Sequence, residues 1–334
     1  MAKPLLQLIG LTKHFGVRAK GGRAVVHAVD DLSLDIHEGE TLGLVGESGC
    51  GKSTTAHMIV GLAEPTRGDV IFNGRNVAGF VGQARRQLRQ QLQYIFQDPN
   101  DSLDPRMKVR SIVSEGLRAQ GRISRREVEE RVAGVLRQVG LPADAMDRFP
   151  HEFSGGQRQR IGIARALIMQ PRLVVADEPI SALDVSVQSQ ILNLMGDLKR
   201  ELGLTYVFVS HNLAAVGYIS DRIAVMYLGR IVEIGRTGDI MTRPRHPYTE
   251  ALLSAIPEPD MQAAKRTRVA LSGDVPSPID PPSGCHFHTR CPFAQPRCAA
   301  ETPVLEHKAE DGAGSVHLTA CHFPRRHAQS EICR

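Results

Sequence analysis

The chain has 334 residues, a formal net charge of +5 and an apolar fraction of 42%. That is enough to bury a sizeable core, which excludes wholesale disorder, and the length suits one large α/β domain with a smaller appendage. Aromatic residues make up only 4%, with no Trp, which argues against a stacking surface for single-stranded nucleic acid.

No stretch of about 18 uninterrupted apolar residues occurs, so no membrane-spanning segment is expected. Met1–Leu11 is too short and too polar for a signal peptide, which implies a cytoplasmic protein. In that compartment the six cysteines are expected as thiols or metal ligands, not disulfides. Arginines are densest at Arg85–Arg89, Arg122–Arg131 and Arg325–Arg326, and suit solvated faces, a lipid-facing surface or a partner-facing one.

In chain order, Leu5–Phe15 reads as a strand that turns at Gly16, and a polar, Gly-rich stretch follows over Arg18–Arg23. The alternation from Ala28 to Ile36 predicts a half-exposed antiparallel strand. Thr41–Val45 is a short apolar strand running into a Gly-rich loop and a helix. From about Gln83 to Gly140, extending to about residue 150, the chain turns polar and Arg-rich. Val128, Val132, Val135, Leu136 and Val139 fall at helical spacing there, so a helical insertion is expected. Leu173–Ala176 and Tyr206–Val209 are apolar throughout, as parallel strands covered on both faces would be. Val187–Leu202, between them, has a helical pattern. After about Ser272 prolines, Gly284 and cysteines cluster, and a second, irregular domain is expected.

Gly46-Glu47-Ser48-Gly49-Cys50-Gly51-Lys52-Ser53-Thr54 is a GxxxxGK[ST] loop set between a predicted strand and a predicted helix. Its glycines let backbone N–H groups turn inward around phosphate oxygens, and the helix beginning near Lys52 aims its positive end at the same anion. Lys52 is expected on the β- and γ-phosphates of ATP and Ser53 on Mg²⁺.

Further along come Phe153-Ser154-Gly155-Gly156-Gln157 before a helical run, Asp177-Glu178 closing an apolar strand, Ser181-Ala182-Leu183-Asp184, and His211 after the next strand. Gln97 follows Tyr94-Ile95-Phe96 upstream. This order resembles the ABC ATPase family over residues 5–255. The resemblance implies a P-loop α/β fold: a mixed-sheet core, an antiparallel subdomain and a helical subdomain at about 83–150. It implies Asp177 and Gln97 beside Ser53 in the Mg²⁺ shell, and Glu178 as general base or water-positioning carboxylate. His211 becomes the switch histidine, Gln97 a member of the metal and water shell, and Phe15 the ring stacked on adenine. The signature Ser154, Gly155, Gly156 and Gln157 would cap the γ-phosphate held by an opposite subunit, with Asp184 in the D-loop.

Three further stretches narrow the resemblance to the importers of dipeptides, oligopeptides and nickel, and most to the second ATPase of the dipeptide system. They are Phe96–Met107, Pro179–Gln188 and Arg245–Thr249, and the tail Pro281–Pro292 joins them, so that residues 256–334 read as that family's C-terminal extension. Cys285, Cys291, Cys298 and Cys321 lie in it with five, six and 22 residues between them. Spacing alone says only "metal": a 4Fe–4S cluster or zinc, with His286, His288 or His322 able to replace a thiolate. The resemblance implies the cluster, which would staple a segment too poor in apolar residues to build its own core. Cys333 and Cys50 read as non-ligands.

The expected protein is therefore an ATPase subunit of a peptide importer, peripheral on the cytoplasmic face of the inner membrane; nickel or glutathione import is the alternative. Its expected partners are a second ATPase (a paralogue), two permease subunits and, through the complex, an extracytoplasmic binding protein. A soluble ABC protein acting on nucleic acid would carry two ATPase domains or a coiled-coil arm, and this chain has neither.

Overall fold

In the computed structural model the described residues are 3–19, 22–98, 102–121, 123–256, 273–307 and 317–325. Pro99–Asp101, parts of the Arg18–Arg23 and Arg122–Arg131 stretches, Ser272, Arg326 and Cys333 fall wholly or partly outside them.

Strands β1 (Leu6–Ala19) and β2 (Gly22–Ile36) form a long antiparallel ribbon, which β4 (Arg67–Phe72) and β5 (Arg75–Asn76) extend into a four-stranded sheet of order β2-β1-β4-β5. The predicted alternation is real at the end of β2, where Leu32, Leu34 and Ile36 are buried and their neighbours exposed. β1 does not stop at Gly16 but runs on, because Gly16 pairs with Val25 and the ribbon continues to Ala19.

The core is a seven-stranded sheet. β3 (Thr41–Val45), β6 (Leu92–Ile95), β7 (Leu173–Asp177), β8 (Thr205–Ser210) and β9 (Arg222–Tyr227) are its parallel part. β10 (Arg230–Arg236) and β11 (Leu318–Thr319) add an antiparallel edge, giving the order β11-β10-β9-β3-β8-β7-β6. Both faces are buried, as the unbroken apolar runs require. Leu44, Val175, Val207 and Met226 pack toward the ribbon and α1 (Lys52–Ile59). Val45, Val174, Phe208 and Val225 pack toward the helices.

The helical stretch includes α2 (Gly82–Gln91), α3 (Val109–Val113), α4 (Glu115–Gln120), α5 (Arg125–Gln138) and α6 (Gly155–Leu167). It is not one insertion: β6 interrupts it and pairs with β7 as a core strand. At four residues, Leu92-Gln93-Tyr94-Ile95, the strand is too short a run to stand out from the polar stretch around it. Val128, Val132, Val135 and Leu136 in α5 and Val139 at its C-cap are buried as predicted, and Ser124 caps the start by accepting from the Glu127 N–H at 3.2 Å. Its arginines pair along the helix, Arg125 with Glu129 and Arg126 with Glu130, so this patch is a solvated face that neutralises itself.

Helices α7 (Val185–Leu202) and α8 (Leu213–Ile219) follow β7 and β8, and α9 (Thr237–Thr242) and α10 (Pro247–Ser254) follow β10. The tail, with α11 (Pro296–Ala300), is woven into this core. Phe287 is 1% exposed, with its ring 5.2 Å from Tyr227 and 5.4 Å from Tyr248. β11 pairs with β10, and buried His317 meets buried Glu233 at 2.6 Å.

Candidate active site

Four parallel strands end on one side of the sheet, and the chain after each carries a site residue. β3 delivers the glycine loop, β6 Gln97, β7 Asp177 and Glu178, and β8 His211. The register aligns these ends, with Val45 opposite Ser210 and Asp177 opposite Val209. Crevices at the carboxyl ends of parallel strands are where α/β sheets bind ligands.

The loop wraps the first turn of α1. Gly51 sits at φ +107°, and a Cβ there would lie 2.1 Å from the Ala28 carbonyl oxygen, so no larger residue fits. Lys52 is 4% exposed, and its Nζ donates to the carbonyls of Gly46 at 2.8 Å and Glu47 at 3.0 Å. The loop floors a cleft of about 730 Å³, the size of a small-molecule site. Gly46, Glu47, Ser48, Gly49, Gly51, Lys52, Ser53 and Thr54 line it on one side, and Gln97, Glu178 and His211 on the other. Phe15 lines it from the ribbon and is 39% exposed. Cys50 is the exception: its thiol is buried behind the loop, and burial raises its pKa.

The carboxylates are held from several sides. The Ser53 hydroxyl donates to Asp177 Oδ1 at 3.2 Å and the Tyr94 hydroxyl to Oδ2 at 2.7 Å. Gln97 donates to Glu178 Oε2 at 3.1 Å, while His211 Nδ1 stands 3.2 Å from Oε1. Glu178 takes φ +46°, a left-handed conformation that a non-glycine residue adopts at a cost. The Glu178 N–H donates to Val209 O at 2.9 Å, and its carbonyl accepts from the Ser181 hydroxyl at 3.0 Å, which hold it there.

Ser154, Gly155, Gly156 and Gln157 do not line this cleft. They start α6, with Ser154 and Gln157 closing a capping box at 3.3 Å and 3.0 Å. A Cβ on Gly156 would meet Val187 at 2.5 Å, so α7 fixes that glycine. Asp184 stands at the N-cap position of α7 without a side-chain capping hydrogen bond, and Val185 beside it is 79% exposed.

Cys285, Cys291, Cys298 and Cys321 line one hollow with Phe287 and Phe293. Burial pushes the Cys321 thiol up to about 12, and the other three cysteines add to the rise. Among the described residues, His14, His27 and Asp30 each place a ligand atom within 4.8 Å of the other two. We read the histidine group as structural. Asp30 already accepts from Arg230 at 2.9 Å, a cation placed where a metal would compete.

The sequence reading missed three residues that shape the site: Tyr94, Tyr248 and Arg290. The Glu47 N–H donates to the Tyr248 hydroxyl at 2.9 Å. Arg290 Nη1 and Nη2 donate to the two Glu47 carboxylate oxygens at 2.7 and 3.1 Å. No local pattern marks them, since two of the three contacts span more than 200 residues.

Residues 29–181 match the family described as ABC transporter, and residues 232–298 the family described as oligopeptide/dipeptide transporter, C-terminal region. A Brucella ovis ATP-binding protein named for peptide import is 53% identical over 90% of this chain and 94% of its own length. The oligopeptide transport ATP-binding protein OppF of Salmonella typhimurium is 50% identical over 91% and 93%. Among solved structures, the ATP-binding cassette MJ0796, a dimer in a post-hydrolysis state with ADP and Pi, aligns at TM-score 0.62 and 28% identity, over 70% of this chain and 98% of that one. With the glycine loop, the paired carboxylates and the tail in place, the chain belongs to the ATP-binding subunits of ABC transporters, in the group that carries the oligopeptide/dipeptide C-terminal region.

Proposed function

We propose that this chain hydrolyses ATP to drive import of di- or oligopeptides. It would do so as a peripheral subunit on the cytoplasmic face of the membrane, docked on two permease subunits and fed by an extracytoplasmic binding protein. The observation that carries the reading is the convergence of Glu178, Gln97 and His211 on the mouth of the loop that holds Lys52. Relatives named for peptide import at about half identity support the cargo class.

In this reading each step falls to a residue of the cleft. The loop N–H groups and Lys52 bind the β- and γ-phosphates. Phe15 offers its exposed ring to the adenine. Ser53, Asp177 and Gln97 would hold Mg²⁺, which would supply positive charge against the phosphates. Ser53 and Tyr94 fix Asp177 before any ligand arrives. Glu178 orients a water and takes its proton as the oxygen attacks the γ-phosphorus and ADP leaves. Gln97 and His211 each hold one oxygen of that carboxylate, which limits its rotation. The signature loop lies outside the cleft, so a second ATPase, a paralogue in our reading, supplies the cap over the γ-phosphate.

For the tail, the residues fit a cysteine-ligated cluster. Four thiols gather in one hollow, and that gathering supports the reading. In this reading Cys285, Cys291, Cys298 and Cys321 ligate a 4Fe–4S centre, with a single zinc as the alternative.

The test is peptide uptake. A strain lacking this subunit should regain growth on a peptide as its source of a required amino acid when given the wild-type chain, and not when given Lys52→Ala. Uptake of nickel but not peptide would overturn the cargo assignment.

A further inference from the structure

Glu47 places a carboxylate inside a loop built to cradle anions, where it would repel the phosphates it helps to surround. The tail answers this charge. Arg290, 6% exposed, grips both Glu47 oxygens and lies 3.4 Å from the Tyr227 hydroxyl. The Glu47 carboxylate in turn holds the guanidinium firmly charged. Arg290 is itself fixed from the tail: its N–H donates to Phe287 O at 3.0 Å, and Phe287 is fully buried beneath Tyr227 and Tyr248. Tyr248 closes the arrangement by accepting the Glu47 N–H.

We propose that Arg290 is a positioning residue for the nucleotide site, neutralising and orienting Glu47 so that the glycine loop accepts phosphate, and that ATP affinity therefore depends on the folded tail. The pair is bidentate, with the Arg290 side chain 5% and the Glu47 side chain 26% exposed, so removing the arginine leaves a half-buried carboxylate without its countercharge. Coupling of this kind is reciprocal: if the tail strengthens nucleotide binding, nucleotide steadies the tail. The proposal rests on reading residues 46–54 as the phosphate site.

The experiment measures MgATP affinity of the full-length chain in four forms: wild type, Arg290→Met, Glu47→Gln, and the two combined. Arg290→Met should weaken binding about tenfold or more by stranding the carboxylate. The combined variant, with no carboxylate left to strand, should return to within about threefold of wild type. A purely structural role in the tail would not be rescued by a change in the loop. Unchanged affinity in Arg290→Met, or a combined variant as weak as the single one, would overturn the proposal. If Arg290→Met does not fold, hydrogen exchange on the wild-type chain decides: MgATP should slow amide exchange over residues 285–291, and no slowing sinks the coupling. A wild-type chain that binds no ATP would instead overturn the reading of the loop.

Discussion

Glu178 and His211 stand 3.2 Å apart at the ends of neighbouring parallel strands, with the glutamate held in a left-handed conformation that turns it toward the histidine. Replacing Glu178 with Gln keeps the shape and the contact with Gln97 but removes the base. Turnover should fall by roughly 100- to 1000-fold while MgATP still binds. Steady-state hydrolysis alongside equilibrium nucleotide binding reads both, and near-normal turnover would show that the chemistry lies elsewhere.

A composite site makes a second expectation. In the proposed two-subunit site, Gly155→Asp would set a carboxylate where an opposing γ-phosphate arrives, and Gly155 lies outside this chain's own cleft. The variant should bind MgATP normally and depress hydrolysis at the partner's site by about tenfold or more. Mixed complexes with one altered subunit separate the two sites. Weakened ATP binding in the isolated variant would contradict the arrangement.

Much of this site was legible because its pieces are local. Residues 46–54 are contiguous, and the strand before them and helix after them are where the pattern placed them. Asp177, Glu178 and His211 each end an apolar strand that announces itself. Tyr94 and Arg290 were not legible, because their roles depend on partners 83 and 243 residues away. β6 was hidden for a related reason: it is four residues long and only half buried, so its pairing with β7, not its composition, makes it a strand. The tail looked like a separate irregular domain, since composition cannot reveal that Phe287 inserts beneath Tyr227.

The cysteine hollow yields a third test. Anaerobically purified protein should be brown, with a broad absorbance near roughly 400 nm and about four irons per chain. Serine at any one of Cys285, Cys291, Cys298 or Cys321 should remove the colour and loosen the tail to proteolysis, whereas Cys333→Ser should change neither. A colourless preparation with one zinc would keep the ligands and discard the cluster; no metal at all would discard both.

Acid should reveal the fourth. His246 is buried and neutral: burial lowers its pKa to about 4, against the upward pull of Glu233. Its Nδ1 accepts the Tyr248 N–H at 3.1 Å. The folded pKa lies below that of the unfolded chain, so the contribution is complete above about pH 6.5 and is lost as pH falls toward 4. By pH 5 the loss should reach about 2 kcal/mol. His246→Asn keeps an acceptor without the titration, so urea unfolding at pH 7.5 and 5.0 should show the gap between wild type and variant narrowing by that amount. A constant gap would refute the assignment.

The pairing of Leu318–Thr319 with β10 also has a consequence in time. β10 ends at Arg236, and its edge partner is translated about 80 residues later, which at 5–20 residues per second is roughly 4–16 seconds. Throughout that interval the N–H and C=O groups along the outer side of β10 have no strand to meet, and an open edge invites pairing with another chain. A chain cut short before residue 318 would therefore leave Glu233 and Ile234 without their antiparallel partners, on an edge open to pairing with another chain.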